Sequence, residues 1–107
     1  MNNGIIKYPL VSVVIPCFNG EKYIAKTINS VLHQLYPEIE IIIVNDGSKD
    51  STYEILKSYE NTTIRIINKP NTGVSDSRNI GMGHAGGAYI LFLDADDILE
   101  PDFISKR

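Results

Sequence analysis

Apolar and polar residues follow two different periods along this 107-residue chain. Leu10-Val11-Ser12-Val13-Val14-Ile15 and Ile39-Glu40-Ile41-Ile42-Ile43-Val44 are near-continuous β-branched runs, the pattern of parallel strands covered on both faces. Ile64-Arg65-Ile66-Ile67 is a shorter run of the same kind, and Ala88 to Leu93 is a fourth, read as a buried strand. Between the first two runs the period changes. Ile24, Ile28, Val31 and Leu35 recur at helical spacing with Glu21, Lys22, Lys26 and Asn29 off the stripe, which predicts a helix that Pro37 ends. Ser51-Thr52-Tyr53-Glu54 has the form of a capping box and opens a second predicted helix whose Ile55, Leu56 and Tyr59 point inward. A third is predicted from about Val74 to Ala85, stopped by Gly86-Gly87.

The order strand-helix-strand-helix-strand-helix-strand specifies an α/β fold: a Rossmann-like, mostly parallel sheet with flanking helices and right-handed crossovers. Ligands of such sheets bind outside the carboxyl ends of the strands, where the strand order reverses. Three polar clusters fall at those ends. Strand one runs into Pro16-Cys17-Phe18-Asn19, strand two into Asn45-Asp46-Gly47-Ser48, and strand four into Asp94-Ala95-Asp96-Asp97. The last cluster sets three carboxylates within four positions. Grouped anions repel one another and resist desolvation. Their natural counter-charge at an all-oxygen site is Mg²⁺ or Mn²⁺, shared with substrate phosphates. The alternative is an acidic turn in which Asp96 or Asp97 caps a short helix from Ile98 to Phe103.

Composition narrows the class without choosing between these readings. Hydrophobic content of 43% and charged content of 21% are those of an ordinary globular chain of one domain or part of one. A net charge of −3 argues against a nucleic-acid partner, which selects for a basic face. No apolar stretch approaches the roughly 20 residues that span a bilayer, and Met1 to Lys7 lacks the form of a signal peptide. The single cysteine, Cys17, excludes an intrachain disulfide and fits a reducing, cytoplasmic setting. It reads as a small buried hydrophobe rather than a nucleophile.

Other motifs weigh less. Gly81-Met82-Gly83-His84-Ala85-Gly86 has the letter pattern of a dinucleotide fingerprint, but it closes a helix instead of opening one, so it reads as close helix packing plus a helix stop. His33 and His84 lack ligand partners at metal spacing and take surface or packing roles. Asn61-Thr62-Thr63 reads as a polar turn rather than a glycosylation acceptor. Asp46 is either part of a simple turn or an acceptor for the N–H of a bound base. Phe18 is either core or a cover for a nucleobase face. Arg78 is either solvated or a neutralising partner for the acidic cluster and nearby phosphates. Asn71-Thr72-Gly73 forms a loop whose following helix amides are able to receive an anion.

Together these segments resemble the opening half of a family 2 glycosyltransferase with a GT-A fold. The resemblance is carried by Val11 to Asn19, Ile43 to Thr52, Asn71 to Gly81 and Leu93 to Asp97, in the family's order and at compatible spacing. It implies residues 10–107 as the nucleotide-diphospho-sugar-binding half of a domain that continues beyond the chain, with residues 1–9 as an extension. It further implies a nucleotide-sugar donor, most often a UDP-sugar, held with Mn²⁺ or Mg²⁺. The implied donor site comprises Pro16, Phe18, Asn19, Asp46, Arg78, Asp94 and Asp96. Phe18 would pack on the base where many relatives carry tyrosine, and Asp46 would bond the base's N–H edge. Asp94 would touch the ribose, Asp96 would coordinate the metal bridging the diphosphate, and Asp97 would orient that shell. Inverting transfer to a glycan or glycoconjugate needs a general base, which the resemblance places beyond Arg107. The 107-residue chain is accordingly expected to bind donor with little transfer activity. It is also expected to self-associate through apolar surface, and to work in the cytoplasm or against the inner face of the membrane. The rival reading is a non-catalytic nucleotide-binding or interaction module on the same half-fold. A phosphotransfer domain is the weaker third, since it would bring an early-strand acid together with a lysine or threonine from later strands.

Overall fold

The computed structural model describes residues 8–106, so the expected extension over residues 1–9 lies almost wholly outside the described residues. Seven elements follow one another as β1 (Val11–Cys17), α1 (Ile24–Leu32), β2 (Ile39–Asp46), α2 (Thr52–Lys57), β3 (Ile64–Lys69), α3 (Val74–His84) and β4 (Tyr89–Phe92). The strands form one sheet in the order β3-β2-β1-β4, and every pairing is parallel. The chain moves outward from β1 to β3, then crosses back to place β4 on the other side of β1. The reversal therefore falls between β1 and β4. In a parallel sheet this is where loops at the carboxyl ends splay apart and leave a crevice.

Burial follows the sequence pattern closely in the centre. Every residue of β1 is buried, as are residues 41–46 of β2, because helices cover both faces. One face holds Val13, Ile15, Ile41 and Ile43 against Ile24, Ile28 and Val31 of α1 and Leu56 of α2. The opposite face holds Val14, Ile42 and Val44 with Ile80. Gly81 explains how α3 sits so near the strands: a Cβ there would lie 2.3 Å from Val14 Cγ1. That is the close packing expected of the glycine-rich segment, although Gly83 has nothing within 4 Å among the described residues and takes no part in it.

Four expectations need correction. Leu35 is not on the buried stripe: α1 ends at Leu32, well before Pro37, and Leu35 is 71% exposed. The cause is tertiary, since the Leu35 amide donates to the Pro101 carbonyl at 2.9 Å and Gln34 Nε2 to the Glu100 carbonyl at 2.5 Å. Ser51 makes no side-chain cap on α2. Asp50 does that work, its Oδ1 accepting the Thr52 amide at 2.9 Å and the Thr52 hydroxyl at 2.5 Å. The short helix considered for Ile98 to Phe103 does not form, and the acidic segment is a turn in which the Asp97 amide donates to the Asp94 carbonyl at 3.0 Å. Finally, β4 is no buried strand. Tyr89, Ile90 and Phe92 are exposed because β4 is an edge strand paired only with β1 among the described residues. No helix is long and apolar enough to cross a membrane among the described residues.

Candidate functional site

The parallel sheet brings the three polar clusters to one edge. At the end of β1, Phe18 projects into solvent at 47% exposure, which excludes the core alternative and leaves it a rim aromatic. Its neighbour Asn19 takes a positive φ of 50°, a backbone region that asparagine tolerates better than most residues. This bend is held by exchange with the loop after β2. The Asn19 amide donates to Ser48 Oγ at 2.9 Å, and the Lys49 amide returns to Asn19 Oδ1 at 2.8 Å. Further along, the Glu21 amide donates to Asp50 Oδ2 at 3.2 Å, the Ser51 amide to Glu21 Oε1 at 3.0 Å, and the Gly20 amide to Thr52 Oγ1 at 2.8 Å. The two loops are thus sewn together. Burial raises the affinity of Asp50 for a proton, but hydrogen bonds from Thr52 and the surrounding amides outweigh it and hold the carboxyl below its ordinary range. Pro16 lies within β1 in register with Val44.

Asp46 ends β2 and is buried, unlike the other site carboxylates. Oδ1 accepts from Lys69 Nζ and from the Thr72 amide at 3.0 Å. Oδ2 accepts from the Gly73 amide at 3.1 Å. Desolvation alone would raise its pKa, but these donors and the Lys69 charge dominate and lower it. Asp46 thereby fixes the 70–73 loop and the entry to α3. Gly47, with φ of 70°, lets the loop after β2 pass against that segment, since a Cβ there would meet the Asn71 amide nitrogen at 2.6 Å.

One turn into α3, Arg78 reaches across the crevice, with Nη2 3.6 Å from Asp94 Oδ1. Both side chains are about half exposed, at 43% and 63%, so the pair contributes little to stability. Its consequence is placement: a cation from α3 meets the first acid after β4. Oxygen atoms of Asp94, Asp96 and Asp97 all lie within 4.8 Å of one another, and all three residues are exposed. This turn is tied to α1, because buried Thr27 donates from Oγ1 to the Ala95 carbonyl at 2.5 Å. The donor set is oxygen only and anionic, which fits a hard divalent cation such as Mn²⁺ or Mg²⁺ rather than a softer ion.

The remaining polar residues behave as structural groups. Cys17 is buried, and desolvation with the nearby Asp50 charge pushes its thiol up to about 12, so it is no nucleophile at neutral pH. His33 and His84 each pair Nδ1 with a carbonyl one helical turn back. Asn61 Oδ1 accepts the Thr63 and Ile64 amides at 2.8 and 2.9 Å, the turn expected of that segment. A cavity of about 500 Å³ lies at the far end of the sheet, beside Pro9, Val11 and Tyr89, away from the acidic turn. Its apolar lining and distance from the charged groups separate it from the site. Lys69 and the sewn loops were missed by sequence reasoning. Lys69 faces Asp46 across two strands 23 residues apart, and only the register of β2 with β3 brings them together.

Comparison with known proteins bears on the family and the fold. The family model described as glycosyl transferase family 2 matches residues 12–107. A hyaluronan synthase of Pasteurella multocida is 43% identical over 105 residues, covering 96% of this chain and 11% of that protein. Glycosyltransferase GlyA of Streptococcus pneumoniae is 40% identical over 96 residues, covering 88% of this chain and 14% of that protein. The chain thus spans less than a sixth of the length of these two relatives. Among solved structures, S. aureus TarS 1-349 in complex with UDP-GlcNAc superposes with a TM-score of 0.85 at 32% identity, covering 91% of this chain and 29% of that one.

Proposed function

From the premise that this chain belongs to glycosyl transferase family 2 and has the GT-A fold, we propose that it binds the nucleotide-sugar donor, a UDP-sugar with a divalent metal, for inverting transfer to a glycan or glycoconjugate. The observation that carries this reading is the meeting of Phe18, Asp46, Arg78 and the three carboxylates Asp94, Asp96 and Asp97 at one sheet edge, beside the strand-order reversal. The TarS structures with UDP and with UDP-GlcNAc, at 32% identity, support the choice of donor class. In this reading Phe18 stacks on the base and Asp46 accepts its N–H, with Pro16 and Asn19 shaping the rim. Asp94, steadied by Arg78, meets the ribose hydroxyls. Asp96 is the metal ligand, and Asp97 orients it. When bound, the cation supplies Lewis-acid stabilisation of the departing diphosphate. The general base for the acceptor is assigned beyond Arg107, so the 107-residue chain binds donor and turns over little. A cytoplasmic setting, free or against the inner face of the membrane, matches the expected donor pool. The exposed edge of β4 gives the chain a further expected partner, a second copy of itself.

Calorimetric titration of UDP with and without Mn²⁺ tests the assignment. Asp96→Ala is expected to abolish the Mn²⁺-dependent gain in UDP affinity while the circular dichroism spectrum stays that of the parent. Retention of the full Mn²⁺ effect in that variant would sink the metal assignment.

A further inference from the structure

The carboxylate assigned to the base has a buried cation behind it. Lys69 closes β3 in register with Asp46, and the two side chains are only 8% and 6% exposed. An ammonium has three N–H donors, and three acceptors surround this one: Asp46 Oδ1, the Pro70 carbonyl and the Thr72 hydroxyl. Asp76 stands 3.7 Å from it. With its donors engaged, Lys69 has none to offer a ligand and acts through Asp46.

The Asp46 carboxylate has about four lone-pair positions. On Oδ1 they go to Lys69 and the Thr72 amide, and on Oδ2 to the Gly73 amide and, at 3.5 Å, to Asn71 Nδ2. That last contact is at the limit of a hydrogen bond, and the same Nδ2 also donates to the Asp46 carbonyl at 3.0 Å. It is the contact an incoming N–H displaces at least cost. Because Lys69 and the Thr72 amide pin Oδ1, the plane of the carboxylate is set and Oδ2 has one direction in which to accept.

We propose that Lys69 is a positioning residue for base selection, fixing the Asp46 carboxylate so that Oδ2 receives the imino N–H of a base such as uracil. This rests on the assignment of Asp46 as the base acceptor made above. The chemistry is selective. Uracil presents an N–H at N3, whereas cytosine presents a lone pair there, which a fixed carboxylate repels. Lys69 therefore governs the ratio of UDP to CDP affinity, while affinity for the diphosphate belongs to the acidic turn across the crevice.

The test is calorimetric titration of the 107-residue chain with UDP and with CDP, in the presence of Mn²⁺, for the parent and for Lys69→Met. Methionine keeps an unbranched stem and removes the charge and the donors. The parent is expected to prefer UDP. Lys69→Met is expected to weaken UDP on the order of ten-fold, the value of one charge-assisted hydrogen bond, without weakening CDP, whose cytosine the fixed carboxylate repels. Equal losses for both nucleotides would mean a purely structural role, and no change in either would mean no role; both outcomes overturn the proposal. A parent that binds UDP without preferring it to CDP would instead remove the assignment of Asp46, and the role of Lys69 with it. If Lys69→Met fails to fold by circular dichroism, Thr72→Val decides the matter by removing one of the three acceptors that aim the ammonium. The same fall in the UDP-to-CDP ratio, smaller in size, is then expected, and an unchanged ratio overturns the proposal.

Discussion

At the scale of single residues, the site divides into carboxylates that the protein has already satisfied and carboxylates that it has left open. Asp46 and Asp50 accept backbone amides and side-chain donors, whereas Asp94, Asp96 and Asp97 stand in solvent. The first pair stabilises loops, and the second group is available to a cation. A pH dependence follows from the first pair. Their pKa values are lowered in the folded chain, so the folded state binds fewer protons than the unfolded one in that range. Their contribution is complete above the ordinary aspartate value of about 4 and drains away as pH falls through the depressed folded values. Urea unfolding is expected to show a lower midpoint at pH 3 than at pH 6. Replacing both residues by asparagine is expected to flatten that difference. Among these residues, Phe18, Asp46 and the acidic cluster were legible as chemistry because each follows an apolar run that reads as a strand. Lys69 was not legible, since an isolated lysine beside a proline carries no local signal. Only a partner strand gives it one.

At the scale of elements, β1, β2, β3 and α3 follow the sequence pattern closely, whereas the burial of β4, the end of α1 and the cap of α2 do not. The pattern at Ile24, Ile28 and Val31 is a local property and survives. Leu35 shares their period but loses to hydrogen bonds that Gln34 and Leu35 make with residues 100 and 101, far along the chain. Likewise Ser51 has the right letter for a cap, and Asp50 has the better position. The packing of α3 on the sheet yields a paired prediction. Gly81→Ala is expected to cost about 1–2 kcal/mol, because the new methyl meets the stiff, fully buried Val14 and overpacking outweighs the gain in helix propensity. Gly83→Ala, on the same helix with open space around it, is expected to stabilise by up to about 1 kcal/mol. Urea midpoints for the two variants check both signs at once.

At the scale of the whole molecule, the sheet has two edge strands, β3 and β4, among the described residues. At the β4 edge, Tyr89 is 64%, Ile90 39% and Phe92 42% exposed, and β4 has no lysine or proline to discourage pairing. Association of copies through this edge is expected to appear in sedimentation velocity as a concentration-dependent shift, and Ile90→Lys is expected to reduce it. A parent chain that sediments as a monomer at every concentration would remove the expectation. The sequence by itself determined the fold class, the order of strands and helices, and the placement of three polar clusters at the carboxyl ends of strands. Periodicity and β-branched composition are local, and the parallel arrangement follows from them by chain connectivity. Tertiary structure alone decided that β4 lies beside β1 as an exposed edge, that Asp46 is buried on Lys69 while Asp94 faces Arg78, and that the loops after β1 and β2 hold each other. Each of those depends on strand order, register or contacts between distant segments, and these arise only when apolar faces are buried together.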